Sequence, residues 1–455
     1  MKNTSIDMTE GKLLPKIIRF SIPVMLVGLL QMLYNAADLA VVGRFGSYLS
    51  VGAVGSTSSL SWLFINLFMG ISAGAGVLLA HARGEKNDEK MSRVVHTAYP
   101  VALISGVIVT VAGIIFSKPM LRLMNSPEGI IDLAALYLRI YFAGILAMIV
   151  YNFGASLLRA VGDTKHPLMF LVISGSANLV MNLFFVIVLH MDVAGVALAT
   201  SLSNLISAVL VTITLAKRKD ACRLCFNKLK IHKQELLGML RIGLPTGLEN
   251  SMFSISVVII QSTVNSFGEA AVAGAAAAAN AEHLVGVICD GITMATVNFV
   301  GQNMGAKKYG RVSEVVRLSV ICSAVLAIVL GVGLSMFGRQ VMSVFIKDSP
   351  ESVDVGILRL KLLSIPFFLY SLLKVFAAAM RGMGKSFIPM AASLAGVCLL
   401  RVVWVYTAVR AFHTLFCLYL SYPVSWAITL AAQVIAYLII RKKVLGSDNQ
   451  KEATD

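Results

Sequence analysis

Charge is scarce in this chain, and negative charge scarcer still: 14% of the 455 residues are charged, with 23 Asp and Glu against 39 Lys and Arg. Soluble domains carry about 25% charged residues. With 57% hydrophobic residues and a mean hydropathy of +0.82, the chain holds more apolar surface than one water-facing core can absorb, so a soluble fold is excluded. Cysteine is also sparse. The six (Cys222, Cys225, Cys289, Cys322, Cys398, Cys417) fall in apolar runs or in one basic loop and imply no disulfide framework. Cys222 and Cys225 form a CxxC without a second pair or a His cluster, which reads as two ordinary thiols rather than a zinc site. No nucleophile and base pair, metal-ligand spacing or phosphate loop stands in the polar segments, so a membrane enzyme is the weakest reading and no cofactor is expected. No signal peptide is read at the start, where a short polar segment carries Asp7 and Glu10.

What is present is a series of long apolar runs. Runs of about 20 residues or more can cross a bilayer as helices. They fall near 15–42, 49–80, 94–116, 131–158, 167–189 and 193–216, and again near 236–265, 270–302, 313–336, 355–380, 386–409 and 414–440. Barrel strands are only about 10 residues long and alternate polar with apolar positions, so these unbroken runs predict twelve transmembrane helices instead. The net charge of +16 is distributed by topology. Of the 39 positive residues, 28 lie on one side: the N-terminal tail (Lys2, Lys12, Lys16, Arg19), the even-numbered loops, the cluster from Lys217 to Arg241, and the C-terminal tail (Arg441, Lys442, Lys443, Lys451). Nine lie on the other side, from Arg44 to Arg410, and Lys374 and Arg401 fall inside predicted spans. This asymmetry places both termini in the cytoplasm and reads as attraction to anionic headgroups, not to nucleic acid.

The runs are one unit written twice. IRFSIP (Ile18 to Pro23) returns as LRIGLP (Leu240 to Pro245), Phe45-Gly46 as Phe267-Gly268, and Val51-Gly52-Ala53 as Ala273-Gly274-Ala275, all at an offset of 222. MGIS (Met69 to Ser72) and Gly84-Glu85-Lys86 face DGIT (Asp290 to Thr293) and Gly305-Ala306-Lys307 at 221, and RAVGDTKHP (Arg159 to Pro167) faces RGMGKSFIP (Arg381 to Pro389) at 222. Register held this long is a repeat. Six spans per copy give both copies the same orientation, hence a parallel repeat, a design that closes on alternate membrane sides by rocking its halves. The chain divides into an N-terminal tail (1–14), an N-lobe (15–216), a basic linker (217–235), a C-lobe (236–440) and a C-terminal tail (441–455). A transporter is the leading expectation.

Ionisable groups at membrane depth are costly and mark candidate sites. They are Asp38, Glu249, Glu282, His283, Asp290, Lys374 and Arg401. Asp38, in LYNAADLAVVGRFG, could take a proton, pair with a cation, or simply hydrogen-bond a neighbouring helix. Asn178 and Asn182 are four apart and share a helix face, and Thr200 follows on the next helix. Such neutral oxygens also glue membrane helices together. Glu249 lies one turn past Pro245, whose missing N–H frees a backbone carbonyl. Its counterpart in the first copy is Val27, and the counterpart of Asp38 is Ile260, so the copies carry their acids at different depths. Glu282 and Asp290 fall close to one face of the next span, where Lys374 and Arg401 could pair with these carboxylates. Pro23 and Pro245 match as candidate hinges, although kinks also occur in static spans. The 21 Met and 22 Phe could line an adaptable pocket or simply face lipid and core.

These residues resemble the multidrug and toxic compound extrusion, or MATE, family, over about residues 12 to 440. The likeness rests on the two six-span copies, the DxxxxGRxG stretch (Asp38, Gly43, Arg44, Gly46), the QNMGAKK loop (Gln302 to Lys308) and the paired RAxGDTxxP and RGxGxSxxP turns. It implies two six-helix bundles forming a V around a central cavity, and export of small drug-like, often cationic, compounds driven by H+ or Na+ entry. It also implies a monomer in the plasma membrane. By position Asp38, Asn178, Asn182 and Thr200 match the family's N-lobe cation site, with Asn182 where many members have a second acid. Glu249 is displaced by about a turn from the acid of the seventh span, leaving Phe253 at the usual position, and Lys374 replaces an acid that some members carry in the tenth. Glu249, Glu282, Asp290 and Lys374 are thus candidates for a substrate or second coupling site. Rival readings are a lipid-linked saccharide flippase, which needs Arg and Lys for pyrophosphate, and a passive channel, which needs a ring of selectivity groups.

Overall fold

The computed structural model describes residues 5–45, 48–123, 128–346 and 349–449. Gly46, Lys2 and Lys451, used above for the repeat and for topology, lie outside them. Among the described residues the chain is helical throughout and no strand forms. The helices are α1 (Leu13–Phe45), α2 (Tyr48–Gly84), α3 (Asp88–Leu123), α4 (Glu128–Ala160), α5 (Lys165–Leu183), α6 (Asp192–Ala216), α7 (Lys233–Asn265), α8 (Glu269–Gly305) and α9 (Tyr309–Met336). There follow α10 (Gly338–Phe345), α11 (Pro350–Leu363), α12 (Phe367–Gly382), α13 (Phe387–Ser393), α14 (Leu400–Trp404), α15 (Arg410–Phe412) and α16 (Leu415–Asn449). Wider π-helical turns extend α5 over Phe184–Val188 and join α13 to α14 (Leu394–Leu399) and α14 to α15 (Val405–Val409).

Eleven of these helices or joined helices are long and apolar enough to cross a membrane. The twelfth span is the pair α11 and α12, bent by 51° at a break that contains Pro366. Proline has no N–H to continue the ladder there. The apolar side chains left outside agree with a lipid environment. Ile104, Ile108 and Ile115 of α3 and Val325, Val329 and Val332 of α9 are exposed, at spacings that repeat on one helix face. Backbone groups inside lipid have no water to bond, which is why the spans are closed helices.

The repeat shows in the turns. Left-handed backbone occurs at Gly162 (φ 90) and Gly384 (φ 78), at Lys86 (φ 54) and Lys307 (φ 56), and at His190 (φ 52) and His413 (φ 42), all at matching positions of the two copies. Single αL residues of this kind end helices and reverse the chain. The QNMGAKK turn also has a local partner. Asn303 donates to the carbonyl of Met8 at 3.0 Å, and Arg311 donates to that of Gly11 at 3.2 Å.

The chain packs as two compact units, the first from residues 5–7 and 26–247, the second from 8–25 and 248–449, within the described residues. The division differs from the sequence halves at two helices: α1 begins in the second unit, and α7 begins in the first. The reason is close helix contact. In the first unit Gly70 and Gly74 of α2 face Gly243 and Gly247 of α7, so close that a β-carbon on Gly70 would stand 2.2 Å from the Gly247 nitrogen. Two small-xxx-small stripes meet there, the pattern that lets membrane helices approach to backbone contact. In the second unit Gly291 of α8 receives Ser21 and Met25 of α1, while Phe20 meets Phe299 edge-on at 5.8 Å. Pro23 and Pro245 each stand two residues before their helix passes from one unit to the other.

Candidate functional site

In the first unit α1, α5 and α6 bring Asp38, Asn178, Asn182 and Thr200 together. Their packing is set by small residues. The Tyr34 ring of α1 lies against Gly175 of α5, where a β-carbon would come within 1.9 Å of it. Ser207 of α6 donates to Ser174 of α5 at 2.7 Å, and Ser201 donates to the Ile140 carbonyl of α4 at 3.0 Å. On this frame the Asn182 amide donates to Asp38 Oδ1 and to Asn178 Oδ1, the latter at 3.2 Å, and Thr200 donates to Asp38 Oδ2 at 3.5 Å. Asn182 is 0% exposed, and its Oδ1 has no hydrogen-bond partner. Asp38 itself is half-buried.

One turn beyond each site helix's contribution lies an apolar layer. Val41 and Val42 follow Asp38, Val186 follows Asn182, and Val196 precedes Thr200; the four form one buried cluster. All lie toward the turn joining α5 to α6. The carboxylate is therefore bounded on that side by hydrocarbon, and its partners are neutral. Chemically the arrangement is a single carboxylate with three nearby neutral groups, two amides and a hydroxyl. It can take a proton on Asp38, with Asn182 turning its carbonyl to accept the resulting O–H, because an amide offers both a donor and an acceptor face. It can also offer oxygens to a hard cation such as Na+, though with one formal negative charge.

The second unit is organised differently, because its acids have cations. Glu282 of α8 receives two hydrogen bonds from Arg359 of α11, at 3.0 and 2.9 Å, and Arg359 also lies 5.5 Å from the Tyr419 and Tyr422 ring centroids. Asp290 pairs with Lys374 of α12. Glu249 is 4% exposed, with Arg381 Nη2 at 3.9 Å and with Oε2 free of hydrogen bonds. The expected pairing of Lys374 with a carboxylate of α8 is found. Arg401 departs from that expectation: its partners are Ser425, which accepts from Nε at 2.8 Å, and the rings of Tyr422 and Trp426, with centroids 4.1 and 5.7 Å away. Arg359 was missed by the sequence reading, which grouped it with the outer-side charges. Its position near the start of a predicted span gave no sign that the following helix would turn it inward.

Of the other candidates, His283 is exposed. In the linker Cys222 is buried, which pushes its thiol up to about 12, and Cys225 donates its backbone N–H to His96 Nε2 at 3.0 Å. A thiol this hard to ionise is a poor metal ligand.

The two-copy architecture has a counterpart in known proteins. A model of the MatE family matches residues 23–184 and again 245–407, once per copy. The chain belongs to the MatE family. Among its relatives, the probable multidrug resistance protein YoeA of Bacillus subtilis is 29% identical over 85% of this chain and 86% of its own length. NorM of Thermotoga maritima, also a probable multidrug resistance protein, is 26% identical over 88% and 86%. The multidrug export protein MepA of Staphylococcus aureus is 21% identical over 73% of each chain. Among solved structures, a MATE protein in complex with MaL6 superimposes with a TM-score of 0.90 at 23% identity, over 97% of this chain and 98% of that one. An outward-facing multidrug resistance MATE transporter gives 0.88 at 23%, over 96% and 97%. At that identity the structural likeness supports the fold alone.

Proposed function

We propose that this chain is a secondary active multidrug exporter that couples extrusion of small, often cationic, drug-like compounds to the entry of protons through Asp38, by alternating access. It works as a monomer in the plasma membrane of a bacterial cell, with both termini in the cytoplasm, as the positive-side asymmetry and the bacterial relatives support. The observation that carries the reading is the Asp38 carboxylate, held by Asn182 and Thr200 with Asn178 behind and bounded by a layer of valines. A carboxylate so placed changes its charge on binding a proton, and a bound ion can shift a transporter between its states only if those states bind it with different affinity. Asn182 favours the proton over Na+ as the coupling ion, since it withholds the second charge that a desolvated Na+ would favour.

Glu249, buried with a distant cation and an unbonded oxygen, is a second acid able to receive a cationic substrate or a proton. The test is ethidium efflux from proteoliposomes under imposed H+ or Na+ gradients. Efflux should respond to the H+ gradient, and Asp38→Asn should remove that response. Full gradient-driven efflux by the variant would remove Asp38 from the mechanism, and a response to Na+ alone would replace the coupling ion. Unchanged affinity of Glu249→Gln for every cationic dye would remove Glu249 from substrate recognition.

A further inference from the structure

Three acids within the spans of the second unit each face a cation: Glu282 faces Arg359, Asp290 faces Lys374, and Glu249 faces Arg381. Arg401 is left over. It is 4% exposed, in the middle of the span 387–412, and its Nη2 has neither solvent contact nor a hydrogen-bond partner. A charged group at this depth is strongly disfavoured unless something of opposite charge or a polar cavity meets it.

The guanidinium does not stand alone. Beside it, Trp426 is also 4% exposed, and its indole Nε1 likewise lacks an acceptor. Two unpaired buried donors thus stand on neighbouring side chains, the guanidinium carbon 5.7 Å from the indole ring centroid, and both call for an acceptor, because buried donors are normally paired. Around them Phe367, Tyr370, Tyr422 and Trp426 form a continuous aromatic group, with neighbouring ring centroids 5.3 to 5.9 Å apart. Aromatic faces attract cations, but here the protein's own cations occupy them: Arg401 over Tyr422 at 4.1 Å, Arg359 over Tyr422 at 5.5 Å and Lys374 over Tyr370 at 5.4 Å. Little of this wall is left for a cationic drug. It suits a flat aromatic ring that carries a negative group.

The helix that carries Arg401 is itself unusual. Arg401 lies in a five-residue α-helical stretch with π-helical turns on both sides. Such widened turns loosen the regular ladder and are frequent at functional sites.

We infer that Arg401 and Trp426 form an anion-recognition site in the second unit, which takes the carboxylate of a planar aromatic substrate. The guanidinium Nη2 and the indole Nε1 donate to the carboxylate, and the half-buried edge of the Tyr370 ring meets the body of the molecule. The inference rests on the exporter reading and deepens it: the substrate range extends to aromatic acids and zwitterions.

The test is binding to the full-length protein purified in detergent, read by energy transfer from tryptophan to pyrene. The probes are 1-pyrenebutyrate and 1-pyrenemethylammonium, which share one ring system and differ in charge. Arg401→Gln should weaken the carboxylate about tenfold or more, because a buried charge contact is lost, and should leave the ammonium weakened less, or strengthened. Trp426→Phe keeps the ring and deletes only the N–H, and should weaken the carboxylate about threefold, the worth of one hydrogen bond. Arg401→Lys should recover part of the loss, since it restores the charge without the fork. Equal losses for both probes in Arg401→Gln would show a structural role and overturn the inference. Should that variant not fold, an unchanged carboxylate affinity in Trp426→Phe overturns it instead. Replacing chloride by gluconate separates a substrate site from a halide site: a chloride-dependent emission change without competition from pyrenebutyrate also overturns it. Binding in detergent requires no transport, so failure of ethidium efflux by the wild type would strike the exporter reading and leave this result to be judged separately.

Discussion

The two units share an ancestry of sequence and turns, yet they treat charge at membrane depth in opposite ways. In the first, one carboxylate, Asp38, is met only by amides and a hydroxyl. In the second, three cations pair with three acids, and the cation that remains, Arg401, stands on the fifth span of its copy, at the position of Leu179 by the 222-residue offset. The same span thus serves a carboxylate in one unit and presents a guanidinium in the other, with π-helical turns near both. A duplicated scaffold fixes where a span can reach. It does not fix the sign of what the span carries, so one copy holds a carboxylate among neutral partners and the other a set of paired charges.

The comparison breaks most visibly if the titrating group can be moved. Asp38→Asn should reduce proton-driven ethidium efflux to the level of protein-free vesicles. Ile260, at the matching place in the second unit, is 2% exposed. Adding Ile260→Asp to Asp38→Asn should not restore efflux, because Ile260 sits in a hydrophobic cluster with Val264, Ala275 and Leu418 and an acid at membrane depth is disfavoured by about 2.5–3.5 kcal/mol. Restored efflux in the double variant would mean that the units are interchangeable and that the contrast drawn here is wrong.

A second group of variants tests the fixed charges. Glu282→Gln leaves Arg359 buried without its anion, and breaking a buried pair in this way costs about 3–5 kcal/mol. The expected outcome is a clear drop in the thermal unfolding midpoint in detergent, and replacing both partners, Glu282→Gln with Arg359→Met, should recover most of it. If the single variant is as stable as the wild type, the pair is not structural. Smaller still is the effect of Gly70→Ala. Its new methyl would meet the α7 backbone at 2.2 Å, and overpacking of this kind typically costs about 1–3 kcal/mol. Gly43→Ala, whose methyl would meet nothing within 4 Å, is the control that should leave the midpoint unchanged or slightly raised, because alanine suits a helix better than glycine.

The fold was legible because its determinants are long-range averages. Twelve apolar runs and a register of 222 survive local noise, and even the tenth span, broken at Pro366, was visible as one run of hydropathy although not as a bend. The unit boundaries were not legible. The exchange of α1 and α7 depends on glycines of α2 and α7 meeting across space, and spacing alone does not say which helix a small-residue stripe will face. The candidate site divides in the same way. Asp38, Asn178, Asn182 and Thr200 could be assembled from position in a known family pattern, and geometry brings them together. Of the charge network of the second unit only the pairing of Lys374 with an acid of α8 was read, since that unit departs from the pattern: Arg359 looked like an outer-loop positive, and which carboxylate takes which cation is set by helix rotation, which hydropathy does not encode.

The least effect is expected outside the membrane, in the linker. Asp220 accepts two hydrogen bonds from Arg218, at 2.9 and 2.6 Å. Burial works against its charge, but Arg218 outweighs burial and holds the carboxyl below its usual range. A carboxyl that binds its proton less readily when folded binds fewer protons than the unfolded chain does as the solution is acidified, so its contribution is present at neutral pH and fades as the pH falls through the carboxylate range. Asp220→Asn should therefore lower the unfolding midpoint slightly at pH 7 and not at pH 3, whereas Asp38→Asn, under the proposed coupling role, should shift efflux far more than it shifts the midpoint. A drop at pH 3 as large as at pH 7 would mean that Asp220 acts by shape and not by charge, and the linker would no longer offer a purely electrostatic contrast to the interior of either unit.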